Sequence, residues 1–411
     1  MKTRLVSIAE RRSPNNKRCA FVRNCRLFVS LMTAKRPTHV SLLQQNWQLC
    51  GLPSPVLVKF HQAKDSPGLV LTLQPYVVNA RPVALGTGHS SLPSYAGVSD
   101  ASAWNSGPSI QPIPSTVMGL CLAPGQEHLP RDLLGWAEKQ LSGELRDKNA
   151  PDFESAILSF LLVYRDSSPE LQGSSSSSSS GKRKALVCVD PENLVRKICE
   201  MRCWYLIWQT SKLYACAHGG APNSDGRSDK HSRLPPTALW ELRKITTEAL
   251  IAYEKEILLE LDELSPDAAR LIELPLWACM WQMILIYRQL VAGYSNLARS
   301  RLVSSVDGGT AGSNEISALP VVEHLYRLLI LKYNAYFGST SPIYPKKGQP
   351  PTSEVLAGNE HLKREWDNVS VRRKEFYRTI ENGVVSDTHL KNLVIDVEMT
   401  LERRLRRRPK T

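Results

Sequence analysis

From Pro130 onward, apolar residues recur at intervals of three and four, which is the spacing of one face of an α-helix. The pattern runs through "RDLLGWAEKQL", "DFESAILSFLLVYRD" and "TEALIAYEKEILLELDEL", with charged residues on the other face. Alternating strand patterns are nearly absent over the same span. We therefore predict an all-α, multi-helix array over residues 129–405, which we interpret as one regulatory domain.

A low-complexity segment interrupts this array at residues 167–185. Its centre, "GSSSSSSSG", consists of residues that cannot bury apolar surface. Such a composition is typical of a flexible loop between packed segments, and we predict one here.

The first 128 residues differ in texture from the rest of the chain. They are rich in Pro, Ser and Gly and show no sustained periodicity, which predicts a basic and largely disordered arm. The exception is "VLVKFHQ" followed by "GLVLTLQPYVVNA", where β-branched residues flank a Pro-Gly turn. This pair favours an isolated hairpin, although two strands alone are marginally stable.

The most apolar stretch, "LPLWACMWQMILIYRQL", begins at Leu274 and could represent a membrane span, a ligand pocket or a core. Only 14 residues precede the interruption at Arg288, whereas a bilayer requires about 20. The stretch therefore predicts a central helix that is apolar on all sides. Trp277 and Trp281 lie four residues apart on one face and, with Tyr287, form either core packing or the lining of an effector pocket.

Basic residues are concentrated at the two ends of the chain. Of the net charge of +13, residues 1–40 carry +9 and the basic tail 402–411 carries +5, so that the remainder sums to −1. Any attraction to an anionic partner is therefore expected at the ends. Two short runs have the composition of nuclear import signals, or could contact phosphates, or are simply solvated charges. These residues are Lys182, Arg183, Lys184, Arg403, Arg404, Arg406, Arg407 and Arg408.

The composition of the N-terminal segment and the number of cysteines indicate in which cellular compartment the protein is expected. The N-terminal segment is Arg-rich and acid-poor without a continuous apolar core, so it does not have the pattern of a secretory signal. Its composition is similar to that of a mitochondrial presequence, and a solvated basic arm would look the same. The nine cysteines are odd in number and scattered, which is typical of free thiols in a reducing compartment.

We find no catalytic or metal-binding signature that meets its own requirements. The Gly-Lys pair at the end of the serine run is followed by Arg183, where a phosphate loop needs Ser or Thr. Cys199 and Cys203 lie one helical turn apart in apolar sequence, with Cys216 and His218 nearby, and this spacing favours core thiols over a zinc site. We predict a protein that is not an enzyme and that has no cofactor, catalytic residue or metal ligand.

The tryptophan-rich helical segments carry a family resemblance. The succession "LVRKICEMRCWYLIWQTSKLY", "LPLWACMWQMILIYRQL" and "LYRLLILKYNAYFGSTSP" resembles the C-terminal regulatory region of fungal transcription-factor-like proteins, many of them of the binuclear zinc cluster class. The resemblance spans roughly residues 130–380. It implies regulatory and self-association functions for the helical region, while a separate cysteine-rich module reads DNA.

That module is not found in this sequence, because Cys19 and Cys25 are far fewer than the six cysteines such a cluster needs. A co-regulator, a truncated gene and a divergent protein stay open as interpretations. We predict a nuclear regulator or co-regulator of transcription, controlling a metabolic or secondary-metabolite pathway. Its expected partners are other transcription proteins, with DNA and a second copy of the chain as further candidates and no membrane. The alternative is a non-enzymatic helical scaffold with a mitochondrial targeting arm.

Overall fold

The computed structural model divides the chain into two compact units. The sheet unit is drawn from residues 36–128 and 212–242, and the helical unit is drawn mainly from residues 129–211 and 243–411. The predicted serine-rich loop, apart from Ser167, lies outside the described residues. The residues described are 47–61, 66–78, 118–147, 151–167, 190–210, 212–217, 232–265, 269, 272–304, 318–339, 356, 359–383 and 387–406.

The sheet unit contains an antiparallel sheet whose strands come from both parts of that unit. The strand order is β1-β3-β2-β5-β6, and β4, which lies off this path, also pairs with β3. The strands are β1 Trp47–Leu49, β2 Ser54–Lys59, β3 Gly68–Val78, β4 Met118–Leu122, β5 Tyr214–Ala217 and β6 Ser232–Arg233.

The long strand β3 organises this sheet. It pairs with β2 over residues 68–73 and with β4 over residues 73–77. A Cβ atom on Gly119 would lie 2.7 Å from the ring of Tyr76, so only glycine lets β4 approach that ring. The Tyr76 hydroxyl hydrogen-bonds to the Thr237 hydroxyl at 2.8 Å within the same unit.

The prediction of an all-α chain is therefore wrong for this unit, although the predicted hairpin exists as β2 and β3. The hairpin is not isolated, because β1, β4 and β5 pair with it. The expectation of a largely disordered arm is likewise wrong for the strands between Trp47 and Leu122. Residues 214–217, which lie within the span predicted to be all-α, pair with β2 as strand β5.

The prediction of a mainly helical fold is confirmed for the rest of the described chain. The first seven residues of α4 are counted with the sheet unit. The elements are α1 Leu129–Asp147, α2 Phe153–Ser167, α3 Pro191–Gln209, α4 Pro236–Glu263, α5 Glu273–Ser304, α6 Ala318–Phe337, α7 Glu360–Glu381, α8 Thr388–Leu390, a π-helical turn Lys391–Ile395, and α9 Asp396–Arg406.

Helix α5 is the centre of the helical unit. Every residue from Leu274 to Tyr287 is buried, and the helix packs against α2, α3 and α6. The prediction of a central helix that is apolar on all sides is confirmed, because neighbouring helices cover each of its faces. Among the described helices, none is both long enough and apolar enough to cross a bilayer.

Candidate functional site

Trp277 and Trp281 lie at the centre of the helical unit, and both are 0% exposed. Their rings are 6.0 Å apart. Phe153 of α2 packs edge-on 5.1 Å from Trp281, and Trp366 of α7 lies 5.4 Å from Trp277. This edge-to-face packing fills the space around both indoles with other rings. Tyr287, the third residue of the predicted pocket or core, is 1% exposed.

Both indole N–H groups lead to a buried carboxylate on α9. Trp277 Nε1 donates to Glu398 Oε1 at 3.4 Å, and Trp281 Nε1 donates to the hydroxyl of Tyr333 at 3.0 Å. The Tyr333 hydroxyl in turn donates to Glu398 Oε1. The central helix is therefore linked to the C-terminal helix through polar atoms inside the core.

The other oxygen of Glu398 binds two residues of α7. Arg373 Nη1 donates to Glu398 Oε2 at 2.5 Å, and the Tyr377 hydroxyl donates to the same oxygen at 2.7 Å. Arg373 and Glu398 are each 1% exposed, so this is a buried ion pair. We call the group of Trp277, Trp281, Tyr333, Arg373, Tyr377 and Glu398 the Glu398 cluster.

The donors around Glu398 keep their protons. Burial, and next the negative charge of Glu398, raise the pKa of Tyr333 and of Tyr377 well above the usual tyrosine value. A carboxylate offers about four acceptor positions, and four donors fill them here. Glu398 therefore has no acceptor left for a substrate proton, and the cluster acts chemically as a joint between helices.

A second carboxylate anchors the start of the same C-terminal segment. Asp387 accepts hydrogen bonds from the Tyr326 hydroxyl at 2.6 Å and from Arg288 Nε at 3.2 Å. Its other oxygen accepts from the backbone N–H of Leu390 at 3.1 Å and so caps α8. Glu398 and Asp387 thus each accept hydrogen bonds from one arginine and at least one tyrosine hydroxyl. These arginines and tyrosines lie on α5, α6 and α7.

A third buried carboxyl has no cation among its hydrogen-bond donors in the part of the chain that the structure describes. Glu254 of α4 is 3% exposed and accepts a hydrogen bond from the Tyr287 hydroxyl. Burial raises the pKa of Glu254 to about 8, and the bond from Tyr287 offsets only part of that effect. This group therefore holds its proton over much of the neutral range.

A small cavity of about 40 Å³ lies between α1, α2 and α3. Arg202 enters it from α3, and its Nη2 lies 2.9 Å from Glu154 Oε1. Arg202 is 9% exposed, and its Nε and Nη1 atoms make no hydrogen bond within the described part of the chain. The other lining residues are Leu141, Glu144, Leu145, Ser155 and Leu158.

The size of this cavity indicates its contents. One water needs roughly 10–15 Å³ by the same measure, whereas sites for organic ligands span roughly 300–1,000 Å³. About three or four waters therefore fit this cavity of about 40 Å³, and a typical organic effector does not.

The residues predicted as an import signal are only partly described. Arg403 and Arg404 are exposed on α9, and Arg406 is the last residue of that helix. Arg403 and Arg404 lie five and six residues beyond Glu398, on the helix that Glu398 joins to α7. The remaining members of the prediction, Lys182, Arg183, Lys184, Arg407 and Arg408, lie outside the described residues.

The cysteines once considered as ligands are core residues. Cys199 and Cys203 are buried on α3, and burial raises the pKa of Cys199 to about 12 and that of Cys203 still further. Neither thiol therefore ionises easily to the thiolate that zinc requires. Across the residues that the structure describes, no three His, Cys, Asp or Glu side chains gather where they could hold a metal ion.

One feature of the α7 sequence indicates that a buried carboxylate such as Glu398 is present. The buried face of α7 consists of Leu362, Trp366, Val369, Arg373, Tyr377 and Ile380. An arginine in the middle of an otherwise apolar helical face requires a buried acidic partner, because an unpaired buried charge is very costly. That signal indicates a buried carboxylate without saying which one.

Comparison with known proteins adds no relative. No family profile matches the sequence, and no curated protein or solved structure is significantly similar to it. The resemblance to fungal transcription-factor-like proteins therefore stays a prediction.

Proposed function

We propose that the chain is a regulator or co-regulator of transcription that acts in the nucleus, without catalytic activity, through contacts of its helical unit with other proteins. The control of a metabolic or secondary-metabolite pathway belongs to the same proposal. It rests on the resemblance of the tryptophan-rich helices, together with the chemistry of the helical unit.

The observation that carries the proposal is the C-terminal end of α9. Arg403 and Arg404 are exposed there, and the sequence continues with three further arginines by residue 408. Glu398, five residues before Arg403, attaches the helix to α7 through Arg373. Arg403 and Arg404, exposed near the end of an anchored helix, are accessible to an import receptor or to an acidic partner.

The interior of the helical unit supports a non-enzymatic role. Catalysis needs polar groups that converge on a space where a substrate can react. The four acceptor positions of Glu398 are filled by protein donors, and the cavity beside Arg202 is of a size for water. These polar groups join helices to one another, as expected of a protein that acts through contacts with other proteins.

Nuclear import tests the proposal in cells. We expect replacement of four arginines by alanine, R403A, R404A, R407A and R408A, to reduce nuclear enrichment of a fluorescent fusion of the full chain. Adding K182A, R183A and K184A should abolish it. The matched control replaces four basic residues of α7 that are also exposed, namely Lys363, Arg364, Lys374 and Arg378, and should leave the enrichment unchanged.

Two results contradict the nuclear proposal. In one, the variant with both runs replaced is as nuclear as the parent. In the other, N-terminal sequencing of the mature protein finds cleavage within the first ~40 residues, as the alternative of a mitochondrial scaffold predicts.

A further inference from the structure

The C-terminal segment buries a different face from the one that its sequence favours. For a regular α-helix, the apolar stripe of this segment continues from Val394 to Val397 and Leu401. In the structure Val394, Glu398 and Glu402 are buried, whereas Val397 and Leu401 are only partly buried. Beyond Ile395, two glutamates have replaced two apolar residues on the packing face.

The π-helical turn at Lys391–Ile395 accounts for this displacement. The backbone N–H of Asp396 bonds to the carbonyl of Lys391, five residues earlier, so the turn holds one residue more than an α-helical turn. Each residue after the turn therefore occupies the place that its predecessor would have in a regular helix. Glu398 takes the place of Val397, and Glu402 takes the place of Leu401.

Two opposing interactions act on this segment. The buried Arg373 favours the π turn, because that turn supplies its carboxylate partner, Glu398. Regular α-helical hydrogen bonding and the burial of Val397 and Leu401 favour the alternative. The second arrangement leaves the buried Arg373 without its carboxylate, so the register seen here is favoured for as long as that pair is intact.

We propose that residues 388–406 form a two-register switch. In the register seen here, the π turn is present and Glu398 binds Arg373. In the second register the segment is a regular α-helix, and Val397 and Leu401 lie on the packing face. Glu398 then takes the half-buried place of Met399, and Glu402 takes the exposed place of Arg403. Replacement of Glu398 by an uncharged residue, or a competing cation that binds its carboxylate, moves the segment to the second register.

The switch changes how the basic run is presented. One residue of an α-helix corresponds to a rotation of about 100° around its axis. In the second register Arg403 and Arg404 therefore point in new directions relative to α7, and a receptor bound in one register meets a different surface in the other. This consequence rests on the proposed function, whereas the switch itself does not.

Thiol labelling of the full chain measures the register. Met399 is half-buried and Thr400 is exposed in the register seen here. In the second register each residue takes the place of the next one, so position 399 becomes exposed and position 400 becomes half-buried. Met399→Cys and Thr400→Cys, introduced separately, report the register as alkylation rates, which peptide mass spectrometry separates from those of the native cysteines.

The switch predicts opposite changes at the two positions. On a Glu398→Gln background, we expect labelling at position 399 to accelerate and labelling at position 400 to slow, with a change of about tenfold in their ratio. Simple loosening of the C-terminal helix would accelerate both. Equal acceleration, or no change at either position, would overturn the proposal.

Two further variants keep the test decisive. Arg373→Met combined with Glu398→Gln removes the charge that the single substitution leaves unpaired, and it should give the same opposite changes in a better folded protein. Deletion of Asn392, an exposed residue of the π turn, makes the turn regular while Glu398 stays on the packing face. In this deletion background Glu398→Gln should no longer change the ratio. All of these readouts are independent of nuclear import, so failure of one proposal is distinguishable from failure of the other.

Discussion

Two pairs of an arginine and a glutamate in the helical unit, one buried and one partly exposed, are stabilised in different ways. Arg373 and Glu398 are each 1% exposed, and Trp277, Tyr333 and Tyr377 complete the hydrogen bonding of the carboxylate. Arg202 and Glu154 have side chains that are 11% and 17% exposed, and two guanidinium nitrogens of Arg202 adjoin a cavity. Around Glu398, protein donors occupy the positions that water would otherwise occupy. Beside Arg202, the cavity leaves room for water to bind the guanidinium group.

The two pairs should therefore differ in how much stability is lost when one of the two charges is removed. A buried charge whose partner is removed stays buried without compensation, because no solvent reaches it. A charge beside a hydrated cavity can be served by water after the same change. The predictions below test this distinction, from the largest expected effect to the smallest.

Glu398→Gln should cause the largest loss of stability. We expect it to lower the free energy of unfolding of the helical unit by about 3–5 kcal/mol, because Arg373 then lacks its buried counter-charge. Urea denaturation followed by tryptophan fluorescence measures the change. A loss below about 1 kcal/mol would show that water reaches the pair.

The carboxyl without a cation among its donors, Glu254, should show the opposite preference, for the protonated form. Its pKa is about 8 in the folded protein and about 4.3 in an unfolded chain. Between these values the unfolded state has lost the proton that the folded state keeps, so stability falls as pH rises, by about 1.4 kcal/mol per pH unit at most. Below this window, and above pH 8, this group makes no further difference.

Urea denaturation at a series of pH values tests this dependence. Glu254→Gln should flatten the fall in stability between pH 5 and 8, since an amide does not ionise. The matched control is Glu263→Gln at the end of the same helix, where the side chain is exposed. An unchanged slope in the Glu254 variant would rule out this carboxyl as the source.

Removing both charges of the fully bonded pair should cost less than removing one. Arg373→Met with Glu398→Met replaces the ion pair by apolar side chains of similar size, and such replacements range from neutral to stabilising. We expect the double variant to recover most of the loss caused by Glu398→Gln, leaving about 1–2 kcal/mol for the tyrosine and indole donors that lose their acceptor. Denaturation of the three proteins under identical conditions completes the comparison.

Arg202→Met should have the smallest effect, about 1 kcal/mol or less, because the pair is partly exposed and Glu154 also accepts a hydrogen bond from Gln289. A loss as large as that of Glu398→Gln would erase the distinction between the two pairs.

The sequence predicted what depends on regular periodicity. The three-four spacing identified the helices, and the short apolar stretch identified α5 as the central one. The hairpin β2–β3 was also readable, since β-branched residues flank its turn. Strands β4 and β5 were not readable, because "MGLCL" and "YACA" are too short to show a period and become strands only by pairing with β3 and β2.

The Glu398 cluster escaped prediction for a different reason. The stripe from Leu390 to Leu405 predicted an ordinary amphipathic helix, and a π-helical turn leaves no periodic signal of its own. The buried position of Glu398 depends on an arginine 25 residues earlier in the chain. Tertiary contacts of this kind, such as a buried hydrogen-bonded ion pair, can bury a residue that the local sequence pattern places on the exposed face.

The pairing of β2 with β5 also has a kinetic consequence. Val56 lies opposite Ala217 in this sheet, so the sequence between them includes three complete helices, α1, α2 and α3. During synthesis the ribosome must deliver those helices before the sheet can gain its fifth and sixth strands. Pairings between residues so distant in sequence form slowly, because the chain loses conformational entropy before the contact contributes any stabilisation. We therefore expect refolding to be biphasic, with the local helical contacts forming first and the completed sheet last.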